Sequence, residues 1–191
     1  MKKLLLLFLL LLSLAAVAKG GWIHAKAILA KYLIADAWEQ RLEGVSKPKP
    51  WPWADTWPVA RLQVPELGVD QFVLAGASGR TLAFGPGHVP GSAFPGGQGS
   101  AVISGHRDTH FRWLRKLQKG DVLVVQRPDG QHLSYRVEQL AVVDETDTSI
   151  LQVSDQPVLH LLTCYPFDAL IPGGPLRYVV TAEALPGTES I

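Results

Sequence analysis

Residues 158–181 read VLHLLTCYPFDALIPGGPLRYVVT. An apolar run from Val158 to Thr163 leads directly into Cys164, followed by Tyr165-Pro166 and a loop holding Pro172, Gly173, Gly174 and Pro175. Beyond it Leu176, Tyr178 and Val180 alternate with Arg177, Val179 and Thr181. Two β-prone runs separated by Gly and Pro read as strands, the first ending at Cys164 and the second opening at Arg177. If they are antiparallel neighbours, the loop returns the chain to where it left and the two residues meet at one rim of a sheet. A thiol attacks as its thiolate, which nearby positive charge or a proton-accepting imidazole favours. An arginine can also donate hydrogen bonds to a carbonyl oxygen that gains charge during acyl transfer. The plainer readings are a small buried hydrophobe for Cys164 and a solvated edge-strand residue for Arg177.

The same short, alternating pattern extends back to about Arg61: Leu62 and Val64, Phe72 to Leu74, Val122 to Gln126, then Leu133, Tyr135 and Val137. This predicts an all-β domain. Arg127-Pro128-Asp129-Gly130 carries turn chemistry, so Val122–Gln126 and His132–Val143 should form a hairpin. Trp113, Leu114 and Leu117 have helical spacing and predict one short helix over Phe111–Gln118. Phe84 to Ser100 holds six glycines and three prolines in 17 residues and is expected to be irregular, a binding lip or a crossover.

Upstream, residues 4–18 read LLLLFLLLLSLAAVA behind Lys2 and Lys3, a positive flank and an apolar run bound for a membrane. Ala16-Val17-Ala18 has the form of a signal-peptidase site, while Trp22 and the Ala-rich stretch behind it fit the interface of a longer, uncleaved anchor; the anchor is the preferred reading of 1–21. Residues 22–46 carry apolar positions near helical spacing, closed by Gly44, and predict an amphipathic helix that lies on the bilayer or packs on the domain. KPKPWPWADTWP, residues 47–58, is expected to be extended, giving a linker over 47–60 and a catalytic domain over 61–185.

Of the 191 residues, 47% are hydrophobic and 18% charged, and Lys plus Arg number 18 against 17 Asp plus Glu. About 130 residues after the linker suffice for one domain with a real core. No basic stripe interleaved with aromatics points to nucleic acid, and Gly85-Pro86-Gly87 lacks the rest of a phosphate loop. The single cysteine excludes an internal disulfide. Among six histidines, His106 is the candidate base: Ala101-Val102-Ile103-Ser104-Gly105-His106 is a short apolar strand opening through glycine into a polar loop. His132 and His160 read as packed or solvated strand residues and His24 as helical. A rival reading makes His106 and His110 metal ligands with Asp108 or His88, but HRDTH lacks the glutamate of the helical zinc-protease motif.

Leu161-Leu162-Thr163-Cys164 resembles the sortase motif in which a threonine precedes the nucleophile by one residue. Ile103-Ser104-Gly105-His106-Arg107 resembles that family's histidine segment, and Arg177 stands where its arginine is expected. The likeness runs from about Arg61 to Ala182. It implies an eight-stranded β-barrel, Cys164 as nucleophile, His106 as its proton-transfer partner and Arg177 as the oxyanion stabiliser. It further implies that a protein with an LPXTG-like C-terminal sorting signal is cleaved through a thioester and passed to an amine acceptor that the sequence does not identify. Trp53–Pro58, Gly85–His88 and Gly105–Phe111 resemble the single-substrate sortases of Gram-negative bacteria, the GN class, which places the domain on the periplasmic side of the inner membrane. No acidic cluster resembles the calcium site of some members, so neither metal nor cofactor is carried over. Two alternatives stand beside this reading. An exported L,D-transpeptidase would carry Ser-x-Gly before its cysteine, and a non-catalytic exported binding module would bury Cys164.

Overall fold

The computed structural model describes residues 2–151, 154–169 and 173–186; Pro172 of the loop after Cys164 lies outside them. Eight strands, β1 (Pro58–Val64), β2 (Val69–Ala75), β3 (Gly87–His88), β4 (Ser100–Ser104), β5 (Val122–Gln126), β6 (His132–Asp144), β7 (Val158–Cys164) and β8 (Leu176–Ala184), form the sheet. They close into a barrel in the order β1-β2-β3-β4-β7-β8-β6-β5. The pairs β2/β3 and β4/β7 are parallel and the others antiparallel.

Strand alternation fills the interior. Leu62 and Val64, Leu123 and Val125, Tyr135 and Val137, Leu159 and Leu161, and Val180 and Ala182 are all buried in one cluster. The β5/β6 hairpin forms across Arg127–Gln131, where the Arg127 amide donates to the Gln131 carbonyl at 2.8 Å. The helix expected over Phe111–Gln118 is instead a 3-10 turn, Arg112–Lys116. Phe111, Trp113, Leu114 and Leu117 join the core from it, and that packing rather than helix propensity sets its shape. The Gly/Pro segment 84–100, expected to be irregular, supplies β3, whose two residues link β2 to β4. A short helix α2 (Gly79–Leu82), not anticipated, is capped by the Ser78 hydroxyl accepting from the Thr81 amide at 3.2 Å.

The N-terminal part is one unbroken helix, α1 (Lys2–Leu42), so the divide placed between residues 21 and 22 is not a break in structure. At 1.5 Å per residue it is about 60 Å long. Every described side chain from Lys2 to Leu29 is exposed, and α1 is long and apolar enough to cross a membrane. Its last turns behave differently. Ala30, Ile34, Ala37 and Trp38 fall on one face and are buried, with the Trp38 ring 6.1 Å from that of Phe72 on β2. The helix ends in a Schellman motif: Gly44, at φ 95°, donates to Arg41, and the Val45 amide donates to Gln40.

The segment expected to be an extended linker lies against the barrel. Pro48, Pro50, Ala54 and Thr56 are buried, and the Thr56 hydroxyl donates to the Ala75 carbonyl at 2.8 Å. The first strand opens at Pro58 rather than Arg61, because Pro58 pairs with Leu74, and a proline is tolerated as the first residue of a strand.

Candidate active site

On β7, Leu159, Leu161 and Thr163 point into the barrel, so His160, Leu162 and Cys164 point outward. Opposite residues of an antiparallel pair share a face, and the register sets His160 against Thr181, Leu162 against Val179 and Cys164 against Arg177. The His160 Nδ1 and the Thr181 hydroxyl are 3.1 Å apart on that outer face. Cys164 and Arg177 are therefore direct cross-strand neighbours at the rim where β7 ends and β8 begins. Cys164 is a free, half-buried thiol.

His106 reaches the same rim by a parallel route. β4 runs beside β7 with Ser104 paired to Leu162, and the Gly105 amide donates to the Leu162 carbonyl at 3.0 Å. His106 lies two residues past Ser104, as Cys164 lies two past Leu162, so the strand ends deliver both to one end of the barrel. A second tie runs the other way: the buried Thr163 hydroxyl donates to the Gly105 carbonyl at 2.7 Å. Gly105 is required here, because a Cβ would sit 2.7 Å from the Phe111 ring. His106 itself is exposed.

Arg177 is held from several sides. Its Nη1 donates to the carbonyls of Gly174 at 2.6 Å and Leu176 at 3.0 Å, and its Nη2 pairs with Glu145. These contacts use three of its five N–H donors and fix the plane of the guanidinium. Next to Cys164, the rings of Tyr165, Phe167 and Tyr178 pack together, Phe167 against Tyr178 at 5.1 Å between centroids.

Two of the other histidines, His88 and His110, are held by surroundings of their own. His88 Nε2 lies 2.9 Å from the Ala93 carbonyl, and its ring stacks on Phe94 at 5.1 Å. Burial, chiefly, holds the His110 imidazole below its ordinary value, and the neighbouring His106 and Lys31 act in the same direction. Among the described residues no three His, Cys, Asp or Glu side chains group as a metal site would need.

A sortase-domain family model matches residues 62–185. The chain belongs to the sortase family. Over 120 residues this sortase is 35% identical to Sortase D of Bacillus subtilis (strain 168), covering 62% of this chain and 60% of that protein, so it spans less than two thirds of the curated relative's length. Its fold resembles the pilus-related Sortase C of Group B Streptococcus at 31% identity and a TM-score of 0.60, covering 68% of each chain. It also resembles a Sortase D5 transpeptidase of Clostridium perfringens, with 24% identity, a TM-score of 0.61, and coverage of 79% of this chain and 88% of that one.

Two residues that bear on the site of this sortase are not legible as site residues in the sequence. Glu145 pairs with Arg177 across 32 positions, and nothing in the string around it marks that partner. Arg107 is the other. It sits in the quoted histidine segment, yet its side chain is only 6% exposed, an unusual state for an arginine and one that periodicity does not announce.

Proposed function

We propose that this sortase is a membrane-tethered cysteine transpeptidase whose site residues are Cys164, His106 and Arg177. The observation that carries the reading is the register that sets a half-buried Cys164 directly opposite Arg177, at the strand ends where the His106 loop also emerges. A thiol packed as a structural hydrophobe would be sealed in the core; this one faces outward at a rim, which also weighs against the binding-module alternative.

In the proposed reaction the Cys164 sulfur attacks the threonine carbonyl of an LPXTG-like sorting signal. Arg177, preorganised by Glu145 and the Gly174 and Leu176 carbonyls, donates to the oxygen that gains charge. The C–N bond to the following glycine breaks, with His106 protonating the departing amine, and a thioester remains on Cys164. His106 then takes a proton from an incoming amine, which attacks the thioester; the C–S bond breaks and the thiolate is regenerated.

The exposed apolar length of α1 and its lysine-flanked start support a membrane anchor, and the likeness to the GN class supports a barrel on the periplasmic side. That subfamily placement rests on the Trp53–Pro58, Gly85–His88 and Gly105–Phe111 stretches. The test is incubation of the full-length protein in detergent with an LPXTG-type peptide and hydroxylamine. Formation of the threonyl hydroxamate, dependent on Cys164, supports the thioester route. A Cys164→Ala protein that forms the hydroxamate at the parent rate would overturn it.

A further inference from the structure

Arg107 follows the candidate base directly, yet its guanidinium turns away from solvent and towards the other loop of the site. Nη1 donates to the Pro166 carbonyl at 2.6 Å and Nη2 to the Ala169 carbonyl at 2.9 Å. Pro166 and Ala169 are the two ends of a turn, since the Ala169 amide also donates to the Pro166 carbonyl at 3.4 Å. On its opposite edge the guanidinium meets Asp108, with Nε 3.1 Å from Oδ1 and Nη2 3.4 Å from Oδ2. A buried cation is costly unless paired and hydrogen-bonded. Here the exposed Asp108 supplies the countercharge and the two carbonyls supply the acceptors.

We infer that Arg107 is a positioning residue that locks the turn after Cys164 to the loop carrying His106, fixing thiol and imidazole relative to each other. Among the described residues, three ties join these loops. The Gly105 amide to the Leu162 carbonyl and the Thr163 hydroxyl to the Gly105 carbonyl lie before Cys164; the Arg107 clasp is the tie beyond it. Without the clasp, Cys164 would be fixed to the histidine loop from one side only. The fork geometry matters: a lysine offers donors from a single point and cannot bridge two carbonyls while also facing a carboxylate on its far edge. Arg107 touches neither substrate nor reacting atoms in this account. It acts through the alignment of groups that do, where an error of about 1 Å can cost about 100-fold in rate.

The inference rests on the site proposed above and is tested on the full-length protein in detergent with Arg107→Lys, Asp108→Asn and, as a reference, Cys164→Ala. Two quantities are read: kcat and KM for an LPXTG-type peptide, and the rate of Cys164 alkylation by iodoacetamide, which needs no knowledge of the substrate. For Arg107→Lys, kcat is expected to fall about 10-fold or more with KM nearly unchanged, and alkylation to slow several-fold. Asp108→Asn, altered at an exposed position, should show the same pattern about threefold weaker and decides the matter if Arg107→Lys does not fold. Parent-like kcat and alkylation, or a loss carried by KM alone, overturns the inference while an inactive Cys164→Ala leaves the site reading standing. Turnover by Cys164→Ala overturns both.

Discussion

Arg177 is planar, charged and oriented by three acceptors, and its expected role depends on all of these properties. Arg177→Lys keeps the charge but loses the fork, so turnover of a sorting-signal peptide should fall about 100-fold with the melting temperature nearly unchanged; an Arg177→Lys protein as fast as the parent would remove the residue from the site. Thr163 plays a structural part. Thr163→Val keeps the shape and leaves the Gly105 carbonyl without its 2.7 Å donor, a loss of about 1–3 kcal/mol in stability measurable by denaturant unfolding. Cys164, His106 and Arg177 could be singled out as candidates in the sequence because each stands where a patterned strand meets a Gly- or Pro-rich loop. Glu145 and Arg107 were not readable in the same way: their partners are a side chain 32 positions away and backbone carbonyls 59 and 62 positions away, and no local pattern encodes such contacts.

Helix α1 has two physical characters, and they make different demands. Its exposed stretch up to Leu29 has apolar residues all round, whereas its end from Ala30 to Trp38 buries one face on β1 and β2. Trp38→Ala should therefore destabilise the barrel itself by about 3–5 kcal/mol, seen as a lowered denaturation midpoint. By the same reasoning, removal of residues 1–29 should leave thermal unfolding close to that of the parent, while removal of 1–46 should lower it sharply. Equal melting temperatures for the two truncations would show that the docked turns contribute nothing. The helical spacing of the apolar residues was visible in the sequence, but the face they cover was not, since the same stripe fits a bilayer surface and a protein surface. The prolines of residues 47–58 misled for a related reason. The segment bends and turns, with the Ala54 amide donating to the Trp51 carbonyl at 2.9 Å, and its buried Pro48 and Pro50 and the Thr56 bond to Ala75 go with a chain that packs on the barrel.

For the molecule as a whole, closure of the barrel leaves β8 flanked by β7 and β6, so Arg177 is not on a free edge as its plainer reading required. The all-β character and the β5/β6 hairpin were accessible from alternation and turn chemistry, while the count of eight strands came from the family resemblance, because two-residue β3 lies in a Gly/Pro segment with no alternation. The parallel β4/β7 pairing, which brings His106 to the rim that holds Cys164, joins strands that are far apart in the chain and was not legible in the sequence. Titration of the folded molecule offers a check on this arrangement. Burial holds the His160 imidazole below its ordinary 6.5, and burial likewise lowers His110. The unfolded chain then takes up these protons first, so their stabilising effect is complete above about 6.5 and is lost as pH falls through that value towards the lower folded-state pKa. The melting temperature should drop between about pH 7.5 and pH 5.5, and His160→Gln should flatten that slope; an unchanged slope would mean that His160 is not neutral and packed.

Whether Cys164 forms a thioester with a sorting signal can be read by intact-mass spectrometry of the full-length protein after incubation with an LPXTG-type peptide. The parent should gain a mass equal to the acyl fragment ending in threonine, and Cys164→Ala should not. The same adduct on Cys164→Ala, or a parent protein that takes up no acyl fragment and whose Cys164 also resists iodoacetamide, would contradict the thioester.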